Sequence, residues 1–264
     1  MSEPQVDGPT NGSPRPPLAF DRVAETYDQT RGGEERGEHY ADALGPLLDP
    51  GSLTLEIGVG TGIVAMALAR RGFRVAGLDV SLPMIRRARD RIGDRVVVGD
   101  ARRMPFADAS VPQAVSVWVL HVVGDVPQML AEVARVLRPG GRYVVVPGQM
   151  QARHDEIGER VRALEQALDP ERRRNDSPER IAGLAPAAGL RVVGIPEHTW
   201  EFHLAPEAVA QMIEARSQSY LWDVDDERWR TLVVPVIEWL RSLPDPERPI
   251  VRRSDERLAV LERT

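Results

Sequence analysis

Residues 55 to 62 read Leu-Glu-Ile-Gly-Val-Gly-Thr-Gly, and no other stretch constrains the chain as tightly. An apolar, β-rich run, 53–57, leads in, and a helical pattern, 63–70, leads out. Gly58, Gly60 and Gly62 lie between them. Glycine allows so sharp a turn and lets a ligand touch main chain where a Cβ would intrude. The helix that follows presents free N–H groups and the positive end of its dipole to that ligand. A strand, a glycine turn and a helix at the head of an alternating series read as a mononucleoside-binding site. The competing reading is a tight turn that binds nothing.

The rest of the chain continues the alternation. Helical stretches are expected over 20–27 and 36–48, then over 62–71, 81–91 behind a Ser81 cap, and 125–137 behind an Asp125 cap. Apolar β runs fall at 73–78, 95–98, 114–121, 142–146 and 190–194, with a further run at 199–204 and a last strand at 257–262. Short strands alternating with helices predict a doubly wound, mostly parallel, seven-stranded α/β sheet of the Rossmann-like kind. Near-continuous apolar content in those strands fits burial on both faces. Helical lid insertions are expected at about 151–176 and 205–250, the second just before the last strand. Residues 1–17 hold five prolines with Gly and Ser and no apolar core, so they read as a disordered tail and not a signal peptide. Residues 18–264 then form one domain.

Composition removes several chemistries. The chain has no cysteine, which excludes disulfides, thiolate metal sites and cysteine nucleophiles. It also has no lysine: all 34 Lys+Arg residues are arginine. That excludes a P-loop lysine, a lysine Schiff base and a Tyr-x-x-x-Lys pair. A net charge of −6 disfavours a general nucleic-acid binder. No apolar run approaches the length of a membrane span. A cytoplasmic, bacterial protein is expected, with no nucleic-acid or membrane partner and no metal, either monomeric or homodimeric.

Three carboxylates, Glu56, Asp79 and Asp100, fall at the carboxyl ends of the first three strands, the edge where open α/β sheets bind ligands. Asp79 follows the glycine turn at the distance expected of a carboxylate that pairs with ribose hydroxyls. Asp100, one strand over, suits the exocyclic amine of adenine. A ring of carboxylates with no arginine in the turn suits a cationic ligand without phosphate, and S-adenosylmethionine is such a ligand. A dinucleotide fingerprint, Gly-x-Gly-x-x-Gly, wants a small residue where this chain has Ile63.

An ordered set of segments then carries a resemblance. Phe20-Asp-Arg-Val-Ala-Glu-Thr-Tyr-Asp28, Glu56-Ile-Gly-Val-Gly-Thr-Gly62, Gly77-Leu-Asp-Val-Ser-Leu-Pro-Met84, Gly99-Asp-Ala101, Met104-Pro-Phe106, Val119-Leu-His121 and Leu137-Arg-Pro-Gly-Gly-Arg142 stand in that order. Together they resemble class I S-adenosylmethionine-dependent methyltransferases, in the branch of the ubiquinone/menaquinone-type and small-molecule enzymes. The resemblance implies that Gly58, Gly60, Thr61 and Gly62 meet the methionine and ribose parts of the cofactor, with Glu56 beside the turn. It implies that Asp79 and Val80 hold the ribose, that Met84 lies by the adenine, and that Asp100 with Ala101 reads the adenine edge. Val119 would offer main chain to the methionine ammonium, and Tyr27 and Arg31 would close over the cofactor. S-adenosylhomocysteine would be the product.

The implied reaction is an in-line displacement at the sulfonium methyl, lowered by alignment and exclusion of water. An acceptor that is a hydroxyl or a carbon acid needs a base. His121 at the end of the fourth strand is the first candidate and His154 the second; His198 and His203 are weaker. The segment Trp118-Val-Leu-His121 lacks the Asn/Asp-Pro-Pro-Tyr/Phe motif that serves N-methylation of nucleic acids and proteins, which points to a small organic acceptor. Four of five tryptophans lie after residue 199. They read as a lid over the acceptor, in which Arg216, Tyr220 and Trp222, with Ser217 and Ser219, would touch it. The expected activity is methyl transfer to O, C or N of a small molecule, possible in natural-product chemistry. The alternative is a cyclase or non-catalytic module that binds the same nucleoside.

Overall fold

A computed structural model describes residues 21, 24–25, 27–30, 32–148, 155–170 and 176–264. The tail expected at 1–17, Arg31 and His154 lie outside these residues. The strands are β1 (Leu53–Ile57), β2 (Arg74–Asp79), β3 (Val96–Val98), β4 (Val111–Val117), β5 (Leu137–Val146), β6 (Leu190–Gly194), β7 (Glu197–Leu204), β8 (Ile250–Arg257) and β9 (Ala259–Arg263). Seven of them form one sheet in the order β3-β2-β1-β4-β5-β9-β6. Pairing from β3 through β5 is parallel, and β9 runs antiparallel between β5 and β6. The chain winds outward from β1 in one direction and from β4 in the other. The crevice at the carboxyl ends of these two strands is therefore a topological switch point, where ligands bind in such sheets.

Helices α1 (Gly33–Leu44), α2 (Ile63–Arg70) and α3 (Leu82–Ile92) cover one face of the sheet, and α4 (Val126–Val136) the other. The two expected caps are present: Ser81 Oγ accepts from Met84 N–H at 3.3 Å and Asp125 from Gln128 N–H at 3.0 Å. Each satisfies an N–H that has no partner inside its helix. Side chains alternate faces along a strand. Leu55 and Ile57 thus join the α4 core, with Met129 and Leu130. Glu56 between them faces the α1–α2 side.

α5 (Glu156–Leu168), α7 (Pro206–Glu214) and α8 (Val234–Ser242) form a separate small core, in which Ile157 and Leu164 meet Val209, Ile213, Ile237 and Leu240. The two lid insertions therefore pack as one body; α6 (Pro178–Leu184) returns to the main sheet through Ile181. The long helical insertion is broken into pieces. A 3₁₀ turn at Ser219–Leu221 follows α7, and a π-helical segment, Trp229–Val233, precedes α8.

Several elements differ from the sequence reading. β4 ends at Val117, not at residue 121, because Trp118 adopts φ 59° and turns the chain into a 3₁₀ segment, Leu120–Val122. β5 begins at Leu137, not at residue 142. Leu137 pairs with Val111, and the register then shifts across Pro139-Gly140-Gly141, where Gly140 has φ 72°. β8 was not expected as a strand. It pairs antiparallel with β7 from Leu204↔Ile250 to Glu197↔Arg257. Its apolar pattern is inverted: Arg252, Ser254 and Glu256 are buried, whereas Val251 is exposed.

Candidate active site

The carboxyl ends of β1, β2 and β4 open into a cavity of about 490 Å³. Its floor is the glycine turn, and the three glycines do different things. Gly58 has φ 75° and packs against the Val119 side chain so closely that a Cβ would collide with it. Gly60 has φ 53°, and a Cβ there would meet nothing within 4 Å. Gly62, at φ 80°, backs onto α3, where a Cβ would stand 3.0 Å from the Ala88 Cα. Gly58 and Gly60 line the cavity. Gly62 does not, and serves the packing of α2 on α3.

Asp79 lies between the turn and α3. Its Oδ2 accepts from Gly60 N–H and its Oδ1 from Ser81 N–H, both at 2.9 Å. Burial pushes its pKa up, opposed by these backbone N–H groups. A carboxylate offers about four acceptor sites, so these backbone donors do not exhaust it, and Asp79 lines the cavity. Val80, Met84, Ala101 and Val119 also line the cavity, as does Tyr27. Asp100 lines it too, but its carboxylate is held by Arg102 through Nε at 3.0 Å and Nη2 at 2.7 Å. The rim therefore carries an arginine that the ring of carboxylates had not included.

Two cofactor candidates sit elsewhere than expected. The Thr61 hydroxyl donates to Asp28 at 2.5 Å, and Arg91 binds both Thr61 O at 2.6 Å and Asp28 at 2.7 Å. This triad fastens the short helix Tyr27–Thr30 to the back of the glycine turn. Glu56 does not line the cavity. It is buried on the sheet face covered by α1 and α2, where burial raises its pKa to about 8, against the pull of Arg36. Arg36, itself 6% exposed, lies over the rings of Trp118 at 4.7 Å and Tyr27 at 5.3 Å. Its Nε and Nη1, like Glu56 Oε2, are buried with no hydrogen-bond partner among the described residues. α1 comes so near because Gly37 faces the main chain of α2, where a Cβ would stand 2.7 Å from Ile63 O.

At the other end of the cavity stand His121, Val122, Asp169, Ser219 and Trp222. His121 Nδ1 is 3.4 Å from Asp176 Oδ2, and both side chains are buried, at 7% and 1% exposure. Asp176 Oδ2 also accepts from Gly148 N–H at 2.7 Å. Trp222 is aimed by its indole N–H, which donates to Arg216 O at 2.9 Å. Arg216 and Tyr220, expected at the acceptor, are turned away from it. Arg216 donates to Leu221 O at 2.8 Å and Val224 O at 3.0 Å and lies over Trp229 at 4.0 Å; Tyr220 packs into the lid core. Ser217 donates to Met212 O. His198 is also distant, on β7, with its Nε2 3.3 Å from His39 Nδ1 of α1. Sequence reasoning missed Arg36 and Asp176. Neither belongs to a motif, and each is brought in by packing.

Comparisons with known proteins agree with this architecture. Residues 55–145 match the family described as a methyltransferase domain. The biotin biosynthesis bifunctional protein BioHC of Cellvibrio japonicus is 40% identical over 130 residues, 48% of this chain and 26% of that protein. The demethylmenaquinone methyltransferase of Thermobifida fusca is 35% identical over 136 residues, 48% of this chain and 58% of that protein. The chain thus spans about a quarter and little more than half of these two relatives. Among solved structures, a Bacillus halodurans protein assigned as a methyltransferase shares the fold, with TM-score 0.56 and 19% identity over 84% of this chain and 97% of that one. The chain carries a class I S-adenosylmethionine-dependent methyltransferase domain.

The residues present fit that cofactor. Asp79 has acceptor sites left for two hydroxyls. Gly60 leaves open main chain. Behind the turn, Arg36 and Glu56 keep buried polar atoms with no hydrogen-bond partner among the described residues, a guanidinium beside a carboxyl group. No phosphate-binding cation lies in the glycine turn.

Proposed function

We propose that this protein transfers the methyl group of S-adenosylmethionine to a small organic acceptor. The observation that carries this reading is the continuity of one cavity. The ribose-type site at Asp79 and the histidine at 121 line the same cavity. In this reading Asp79 holds the ribose, Met84 and Ala101 flank the adenine, Val119 offers main chain to the amino-acid end, and Arg36 and Glu56 set the charge behind the turn. Bound there, the cofactor supplies an already activated methyl group.

The chain's own contribution is placement and dryness. Trp118, Val122 and Trp222 wall the acceptor end with apolar surface, and the lid body excludes water from it. A displacement that starts with both partners aligned needs little further help, because alignment alone can supply roughly 7–11 kcal/mol of the barrier. His121 is the base where the acceptor carries a proton. Trp222, positioned by Arg216, sets the acceptor's orientation through its ring face.

Calorimetry with S-adenosylhomocysteine and NAD, followed by transfer of labelled methyl from S-adenosylmethionine, tests this. Micromolar binding of the first, none of the second, and labelled product support it. Binding without transfer to any acceptor in an extract of the producing cells would reduce the protein to a nucleoside-binding module. Equal binding of NAD would remove the cofactor assignment.

A further inference from the structure

We propose that the β7–β8 hairpin is a strap that sets the position of the lid body, and that the ion pair between Arg252 and Asp155 is its latch. Closed, the latch holds the lid over the acceptor end of the cavity; open, it lets the lid swing aside. The latch stands whatever cofactor or acceptor the cavity takes, and so goes beyond the methyltransferase reading.

The lid is built to move as one piece. Helices α5, α7 and α8 share their own core, and neither core of the sheet contains a described residue of these helices. Yet the lid supplies part of the cavity wall, through Asp169 at the end of α5 and through Ser219 and Trp222 after α7. A change in lid position therefore changes the size of the acceptor end.

The hairpin ties this body to the sheet domain. β7 places His198, Trp200 and Phe202 opposite Glu256, Ser254 and Arg252 of β8. One end of that row rests on α1. The Trp200 ring stacks on His39 at 4.0 Å, His198 meets His39 at 3.3 Å, and Glu256 accepts from Tyr40 at 2.9 Å. The other end reaches the lid in two ways. The chain leaves for α7 at Leu204 and re-enters the hairpin at Ile250, and these two residues are register partners. The covalent connections thus lie side by side and make a hinge, where a few residues at the ends of elements absorb a rotation. Arg252 is the second attachment. It binds Asp155, the N-cap of α5, through Nε at 2.8 Å and Nη2 at 3.0 Å. A body hinged at one place can swing, and a second attachment removes that freedom.

The second attachment is charged, and it can be made or broken as a unit. The Arg252 side chain is 5% exposed and that of Asp155 26%. Against the upward push of burial, Arg252 and the Gly158 N–H hold the Asp155 carboxyl below its ordinary value, so it is ionised at neutral pH. A forked guanidinium–carboxylate pair fixes direction as well as distance, which gives the lid one latched position. Lid opening of this kind commonly controls entry and product release.

The chain has no cysteine, so spin labels attach only where cysteines are introduced. Arg86→Cys on α3 is paired with Glu238→Cys on α8 or Glu159→Cys on α5, all exposed positions. A third pair, 159 with 238, lies within the lid. Pulsed dipolar spectroscopy on the full chain reads each distance distribution. Latched protein should give one narrow distribution per pair. Arg252→Met keeps an apolar stem beside Phe202 but should add a longer distance to both pairs that include residue 86. Asp155→Asn should do the same, although asparagine caps a helix as well as aspartate does. The two substitutions together should shift the distributions no further than either alone, as expected of partners in one contact. The pair within the lid should not change. Distributions identical to wild type in both variants overturn the latch, and additive shifts overturn it too. A broadened distance between 159 and 238 also overturns it, because the lid would then melt and not swing. Asp155→Asn, which retains the cap, decides the matter if Arg252→Met fails to fold. Calorimetry with S-adenosylhomocysteine tests the cofactor assignment separately, so the two can fail independently.

Discussion

The Tyr40 hydroxyl donates to the Glu256 carboxylate at 2.9 Å, joining α1 to β8 across 216 residues of chain. Glu256 is 4% exposed and lies on β8, which pairs with β7 in a separate two-stranded sheet before the chain enters the main sheet as β9. The Tyr40 ring packs edge-on against Trp118, whose own ring bears on Arg36. The same contact that closes the fold thus supports the wall of the cavity.

That contact sets a pH dependence. Burial raises the Glu256 pKa to about 7, against the hydrogen bonds it accepts. The folded protein therefore holds a proton that the unfolded chain releases near the ordinary carboxylate value of 4.5. Unfolding then releases a proton between these values, so stability falls as pH rises from about 4.5 to about 7 and levels off above. The shift corresponds to something on the order of 3 kcal/mol. Glu256→Gln keeps an acceptor for Tyr40 but cannot ionise. Urea unfolding at pH 5 and pH 7.5 should show a smaller pH difference in this variant than in the wild type. An equal loss in both would place the dependence in another group, Glu56 first among them.

The ribose assignment gives a second prediction. Asp79→Ala removes both acceptors that the cavity offers to hydroxyls while leaving the sheet untouched. Two hydrogen bonds to a charged group are worth about 1.5–3 kcal/mol each, so affinity for S-adenosylhomocysteine should fall on the order of 100-fold or more. Circular dichroism should be unchanged. Unaltered affinity in a folded variant would remove Asp79 from the cofactor site.

Gly60 and Gly62 make a matched pair. Both have positive φ, which costs an alanine roughly 1–2 kcal/mol, but only Gly62 faces backbone, at 3.0 Å from the Ala88 Cα. Gly62→Ala should lower stability by more than Gly60→Ala, with a difference of about 1–3 kcal/mol from overpacking. Gly60→Ala should instead lose S-adenosylhomocysteine affinity, because its methyl would point into the cavity. Thermal melts with and without the ligand separate the two effects. Equal destabilisation with equal ligand response would merge their roles.

Much of this was legible in the residues because the sheet writes itself in apolar runs. β1, β2 and β3 and the caps at Ser81 and Asp125 fall where pattern and capping chemistry put them. What was not legible depended on partners far away in sequence. β8 hides because its inward face is Arg252, Ser254 and Glu256. Arg252 is held by Asp155 at 2.8 Å and Glu256 by the Tyr40 hydroxyl. No period-2 rule finds a strand whose interior is charged. Arg36 and Asp176 carry no motif, and their places come from α1 resting on Gly37 and from the return of the chain toward α6. Arg216 misled for the opposite reason. It stands among candidate acceptor contacts in sequence, but its φ of 48° and its two carbonyl partners make it a brace for the lid.

Glu56 gives the last prediction. Its pKa is raised to about 8 chiefly by burial, with Arg36 pulling it down, so at neutral pH most molecules hold it protonated. A cofactor ammonium brought beside it favours the carboxylate, as any nearby opposite charge does. Binding of S-adenosylhomocysteine at pH 7 should therefore release up to about one proton. Calorimetry in buffers of different ionisation enthalpy measures this directly as the slope of apparent enthalpy against buffer enthalpy. The release should fade above about pH 9, where Glu56 is already ionised. It should vanish in Glu56→Gln, which carries no proton to lose. A slope of zero in the wild type at pH 7 would mean that the ammonium is met by main chain at Val119 alone, and that Glu56 only braces Arg36 beneath the turn.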